Sequence, residues 1–438
     1  MKDIDYEQIK RFYNEYNNDK NNKIIENAMK KIGMQSFCLN TDIINNTPNV
    51  FNIELPNTKI YDQEDSWLCW LYAGINFIEN NVATNLNILP TDINLSINYL
   101  SFFDKLEKAN TFYNRIIEQE NFDLKTEVNK YYIEDAFYEG GRFTFFKELV
   151  NKYGIVPEDV MPKSFDSKNS EQLIRLYNEK IKKDMFKLLK LKENNTSKDK
   201  LYLRKEEMLK ENYNLLSKCL GSPPLFFTYE YKDKDGKIIK LENITPIEFK
   251  NKYLSINLDN FVSITNVPMY KTEYNKLYRK EYNENIYGKY IEFINKPIEV
   301  LKDLAVRQLK DGMPVYFACN IDKMRDKKSG ILDSNLYNYK DVFNIDLLTK
   351  EEALNSFDIY YQHLMVITGV HIEDNKPIRW KAENSYGDIL YKDGYYIMND
   401  NFFNNFVLMV IINKKYLSKE DLELFNTKPI TIDRYNPF

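Results

Sequence analysis

The sequence predicts an α+β protein of two lobes, and three observations predict it. Through the first half, apolar residues recur at spacings of three and four, the period of amphipathic helices. In the last third they gather into short runs separated by turn residues (Met313–Cys319, His363–Val370, Ile378–Asn384, Gly394–Met398 and Phe406–Ile412), which read as an antiparallel sheet or small barrel. With 43% apolar residues, 34 Tyr and 27 Phe among 438 residues, the chain can fill more core than one domain usually holds. A helical lobe followed by a β lobe leaves a cleft between them as the natural place for a site.

Residues 1–60 open with two short amphipathic helices. Ile9, Phe12 and Tyr13 mark the first and Ile24, Ile25, Ala28 and Met29 the second, with a break at Asn17-Asn18-Asp19. Both are expected to pack on the body, and residues 45–60 to run extended toward Tyr61. Residues 61–165 form the helical lobe: an apolar helix beginning near Cys69, a second across Asn94–Glu118, a tight passage at Gly140-Gly141, and Phe143–Tyr153, stopped by Gly154 and Pro157. Residues 166–295 read as an inserted module. A charged helical hairpin over 168–217 turns at Asn194-Asn195-Thr196-Ser197, and two strands follow around Lys232-Asp233-Lys234-Asp235-Gly236. Residues 296–438 are the β lobe and a carboxyl-terminal arm.

A net charge of −4 gives no general electrostatic reason to bind nucleic acid or an anionic membrane. The amino-terminal residues lack the apolar core of a signal peptide and no apolar run is long enough to span a bilayer, so a cytoplasmic protein is expected. Cys38, Cys69, Cys219 and Cys319 are scattered without a C-x-x-C pair, which argues for free thiols over a disulfide scaffold or structural zinc. His363 and His371, eight apart and without H-E-x-x-H, do not make a metal site.

Chemistry concentrates in Tyr61–Ile78, where a polar loop runs into an apolar helix with Cys69 in its first turn. Asp65 or Ser66 is expected to cap that helix. The unpaired N–H groups and positive dipole end there favour thiolate over thiol. Read alone, a cysteine beside Trp70 and Leu71 also fits a packing residue. His363 begins an apolar strand, whereas His371 precedes the turn Glu373-Asp374-Asn375 and suits a surface role. Alternation puts Ile378, Trp380, Ala382 and Asn384 on one face and Arg379, Lys381 and Glu383 on the other. A buried Asn384 amide needs a partner, and an imidazole N–H would both supply it and fix the histidine's tautomer. An asparagine that merely ends a strand is the plainer alternative.

Cysteine first, then His and Asn far downstream, is the order of a papain-like peptidase. The local residues add to it: Gln63 six residues before Cys69-Trp70, Asn98-Tyr99-Leu100, Asp104-Lys105-Leu106-Glu107, Gly140-Gly141, Lys152-Tyr153-Gly154, Ser329-Gly330-Ile331, His363-Leu364-Met365, Thr368-Gly369-Val370 and Glu383-Asn384-Ser385. In these matches, spread over nearly the whole chain, the sequence resembles the bleomycin hydrolase and aminopeptidase C family. The resemblance implies a papain-like two-lobe fold with helical and hairpin insertions. It also implies Cys69 as nucleophile, His363 as its base, Asn384 as orienting residue and Gln63 as oxyanion donor. Gly140 and Gly141 would offer backbone to substrate, and Tyr386 would shield the His–Asn bond where the family usually has Trp. Short peptides would be the substrates, no cofactor or metal is implied, and the chain would form a homohexamer.

Two departures stand out. Trp67 occupies the place where the family usually has Gly, two residues before the cysteine, which predicts an altered substrate pocket. The carboxyl end at Phe438 stops short of the arm that the family lays in its cleft to enforce aminopeptidase action. An oligoendopeptidase is therefore the alternative within the class. A non-catalytic ring scaffold and a nucleic-acid-binding protein are the alternatives outside it, the latter disfavoured by charge.

Overall fold

In the computed structural model, residues 3–120, 122–134, 136–280, 285–387 and 394–432 are described; Asp388 and the arm after Ile432, with Phe438, lie outside them. A large mixed sheet divides the molecule. Its order is Ile430–Ile432, Lys276–Lys280, Glu292–Asn295, Phe261–Thr265, Val407–Asn413, Val315–Cys319, His363–Glu373, Lys376–Glu383, Tyr395–Asn399, Ile331–Leu332 and Arg325–Asp326, with Ile53–Glu54 also pairing on His363–Glu373. The centre is antiparallel, as expected, but three pairs toward the edges are parallel.

Both faces of the central strands are covered, so alternate side chains serve two cores. From His363–Glu373, Leu364 and Val366 join the core shared with the helical lobe, while Met365 and Ile367 join the core behind the sheet. Tyr316 and Ala318 divide from Val315, Phe317 and Cys319 in the same way. Ile298–Lys310 and Asp400–Phe406 close the back through Leu301, Leu304, Phe402 and Phe403. At the front lies Cys69–Leu86, an almost wholly buried helix. Gly74 sits on it where a Cβ would fall 2.4 Å from the Phe146 ring, so glycine lets Phe143–Tyr153 pack at close range.

The helices follow local chemistry. Ser96 caps Ile97–Glu118 by accepting from the Tyr99 N–H. Phe143–Tyr153 ends at Gly154, whose φ of +79° suits glycine. The helical hairpin is Glu171–Glu193 and Lys198–Leu220, and the following β-hairpin is Phe227–Lys232 and Ile238–Ile244.

Two expectations are corrected. The inserted module does not run to residue 295, because Phe261–Thr265, Lys276–Lys280 and Glu292–Asn295 are strands of the main sheet. Nor do the amino-terminal helices lie on the body along their length. Tyr6–Asn18 and Lys20–Ile32 contain no buried residue, and contact with the core begins at Met29 and continues through Phe37, Cys38 and Leu39.

Candidate active site

Cys69 is the first residue of its helix, and the helix has no side-chain cap. The expected caps are occupied otherwise: the Ser66 hydroxyl donates to the Gln63 carbonyl at 2.7 Å, and Leu68, not Asp65 or Ser66, is the N-cap residue. Absence of a cap leaves the first N–H groups of the helix to the sulfur. The Cys69 and Trp70 N–H groups, with the Leu364 N–H from the facing strand, all act to hold the thiol's pKa down. Burial acts against them and prevails, pushing the thiol up to about 11.

His363 is placed by that same strand, one residue before Leu364, and is 3% exposed. Its Nε2–H donates to Asn384 Oδ1 at 2.7 Å, which leaves Nδ1 as the basic nitrogen. Burial lowers the imidazole to about 4, with the Asn384 bond working the other way. Burial thus favours the neutral form of both groups. Tyr386 stacks on the imidazole with ring centroids 5.0 Å apart and an interplanar angle of 20°. Its hydroxyl lies 3.5 Å from Nδ1. Tyr386 and Tyr316 both stand within electrostatic reach of Cys69.

Gln63 reaches this junction because the segment 61–63 pairs with 385–387. The Gln63 N–H donates to the Ser385 carbonyl at 2.8 Å and the Gly387 N–H to that of Tyr61 at 2.9 Å. The Gln63 amide is held at both ends: Nε2 donates to the Ser66 carbonyl at 2.8 Å, and Oε1 accepts from the Ser385 hydroxyl at 2.7 Å. Cys69, His363, Asn384, Gln63 and Tyr386 therefore converge. His371 stays apart on the strand, bonded to Glu373 Oε1 at 2.8 Å.

Gly141 presses on the Cys69 helix, since a Cβ there would fall 2.4 Å from the Trp70 indole, and a Cβ at Gly140 would fall 2.2 Å from the Tyr138 ring. The Gly140 carbonyl accepts from Lys108 Nζ at 2.8 Å. Trp67, two residues before Cys69, is 69% exposed.

The family model for the Peptidase C1-like family matches residues 3–438. The chain belongs to the Peptidase C1-like family. Aminopeptidase C of Listeria monocytogenes is 32% identical over 437 residues, covering 99% of this chain and 98% of that protein. Aminopeptidase E of Lactobacillus helveticus is 34% identical, covering 96% of each. The crystal structure of PepW from Lactobacillus rhamnosis superimposes with a TM-score of 0.96 at 33% identity, covering 100% of this chain and 98% of that one. The C1-like peptidase thus has a papain-like α+β fold and is an enzyme of the cysteine peptidase type.

Sequence patterning missed the charged groups beneath this site. Lys381 and Glu383 are buried rather than facing solvent, because the distant segment 50–58 covers them: Lys381 bonds Glu54 and Asn57, and Thr58 Oγ1 donates to Glu383 at 2.5 Å. Asp104, Lys105, Lys108 and Glu139 are buried or nearly so around Gly140. A signal for the helical three was present, since charges at i, i+1 and i+4 sit among Phe102, Ala109 and Phe112 on the face a helix buries.

Proposed function

We propose that the chain is a thiol-dependent aminopeptidase that releases N-terminal residues from short peptides in the cytoplasm. The observation that carries this reading is the Asn384-oriented imidazole, with Nε2 bonded at 2.7 Å and Nδ1 left basic, on the strand that faces the uncapped, helix-terminal Cys69. Cys69 attacks the scissile carbonyl while His363 Nδ1 takes the thiol proton, and the imidazolium then protonates the leaving amine. The tetrahedral oxyanion is met by the Cys69 N–H and the Gln63 amide, and water releases the acyl group by the same steps in reverse order of roles. Asn384 holds the imidazole, Tyr386 covers it from water, and Gly141, with Gly140, supplies backbone to the substrate. Trp67 forms one wall of the pocket for the residue ahead of the cleaved bond. The aminopeptidase names of the relatives support removal of terminal residues. The exposed apolar residues Ile9, Phe12 and Tyr13 support association with further copies, six by the family resemblance.

Cleavage of one short peptide with a free and with an acetylated amino terminus, with Cys69→Ala as blank, tests this. Sequential release from the free form alone is expected. Equal cleavage of both forms would make the enzyme an oligoendopeptidase, and cleavage of neither in reducing buffer would refute catalysis.

A further inference from the structure

Ile97–Glu118 presents two lysines, Lys105 and Lys108, three residues apart on one face, and both reach the short segment 138–140. Lys108 Nζ donates to the Tyr138 and Gly140 carbonyls, each at 2.8 Å, and is neutralised by Asp104 at 2.6 Å. Lys105 Nζ is 2.8 Å from Glu139 Oε1, and the side chains of this second pair are each only 2% exposed. Glu139 then reaches in three directions. Its Oε2 accepts the Trp67 N–H at 3.1 Å and the Ser170 hydroxyl at 2.6 Å, and its backbone carbonyl accepts Trp70 Nε1 at 2.9 Å. Trp67 and Trp70 flank Cys69, and Trp70 is the residue on which Gly141 rests. With Lys105 beside it, Glu139 stays ionised despite deep burial, its pKa held below the usual value.

We propose that Glu139 is a positioning residue: its carboxylate, fixed by Lys105 and Ser170, sets the loop Ser66–Leu68 against Gly140-Gly141. The oxyanion donors and the substrate-pairing backbone are thereby held in one register. Gln63 lies within this linkage, because its amide donates to the Ser66 carbonyl one residue before the N–H that Glu139 holds. Loss of the acceptor frees the loop on the side where charge develops in the transition state, so the effect falls on kcat. A shift of about 1 Å at such a site is enough for a large loss of rate.

The inference rests on the thiol peptidase reading, which wild-type turnover decides separately; comparison among variants decides the inference. Glu139→Gln keeps an acceptor for the Trp67 N–H but strands the buried Lys105 charge. It is expected to lower the melting temperature while holding kcat per alkylation-titrated site within about threefold. Lys105→Met/Glu139→Leu removes both charges and the acceptor. It is expected to melt near the wild-type temperature, alkylate Cys69 with iodoacetamide at close to the wild-type rate, and lose about tenfold or more in kcat per titrated site. Ser170→Ala, the mildest change, is expected to lose a few-fold in kcat with an unchanged KM. If kcat per titrated site instead follows melting temperature across the three variants, or the double variant keeps wild-type kcat, Glu139 is structural only and the proposal is overturned.

Discussion

At the scale of single residues, the site is built from partners that each hold one atom in place. Asn384 holds the imidazole by a single bond of 2.7 Å, so Asn384→Ala frees the ring to rotate away from Cys69. A fall in kcat of about a hundredfold, with KM nearly constant, is expected from the weight of a positioned general base, measured per titrated site. On the proposed mechanism, Gln63→Ala removes a donor needed only when the oxyanion forms. Its kcat should drop by about a hundred- to a thousandfold while the rate of Cys69 alkylation, which forms no oxyanion, stays near wild type. Trp67→Gly should broaden acceptance of bulky side chains ahead of the cleaved bond, read as the kcat/KM ratio for large over small residues. The sequence singles out Cys69, His363 and Asn384 by their order along the chain and Gln63 by its distance from the cysteine, and the fold brings His363 to Asn384 and Gln63 to Ser385 beside it. The capping of the helix was not legible, because the Ser66 hydroxyl turns back to Gln63 and leaves the N-cap place to Leu68. That outcome leaves the first N–H groups of the helix to the Cys69 sulfur, as the proposed mechanism requires.

At the scale of elements, the helices and hairpins were readable where local signals close them. Phe143–Tyr153 runs between Arg142 and a positive-φ Gly154, and the hairpin after His363–Glu373 turns at Asp374-Asn375 with φ of +47° and +61°. The strands Phe261–Thr265, Lys276–Lys280 and Glu292–Asn295 were not recognised, since each is four or five residues long and the first two are completed by Val407–Asn413 and Ile430–Ile432, far along the chain. Burial of Lys381 and Glu383 is of the same kind, decided by a segment some 325 residues away in sequence. Close approach between elements makes a further prediction. Gly141→Ala drives a methyl into the Trp70 indole at 2.4 Å, and the ring is pinned by its bond to the Glu139 carbonyl. A loss of about 1–3 kcal/mol in a denaturant titration is expected, together with weakened peptide binding.

At the scale of the whole molecule, two buried acids link stability to pH. Glu79, on the Cys69 helix, accepts from the Tyr61 hydroxyl and the Leu95 N–H, and burial pushes it up to about 8. Glu383, next to Asn384, is pushed up to about 7 by burial, with the Thr58 bond and Lys381 opposing. Each has its Oε2 without a hydrogen-bond partner among the described residues. The unfolded chain releases these protons near 4.5, so the native state binds more protons between there and about 8. Stability contributed by the two acids is therefore full below about 4.5, falls as pH rises through 7 and 8, and is level beyond. Denaturant midpoints taken at intervals across this range should decline for the wild type and decline less for Glu383→Gln, which stays neutral throughout. A parallel decline in both proteins would show that Glu383 has no part in the pH dependence.

Mapping of alkylation by mass spectrometry tests the central claim, that Cys69 is a nucleophile set up by His363 and Asn384. All four cysteines are free, and with Cys38 and Cys319 buried, Cys219 is the competitor of Cys69 for the reagent. Brief treatment of the folded protein with iodoacetamide should modify Cys69 alone, abolish peptide turnover in proportion, and slow by about a hundredfold or more in His363→Ala. Labelling that falls first on Cys219, or that proceeds at Cys69 with turnover retained, would contradict it.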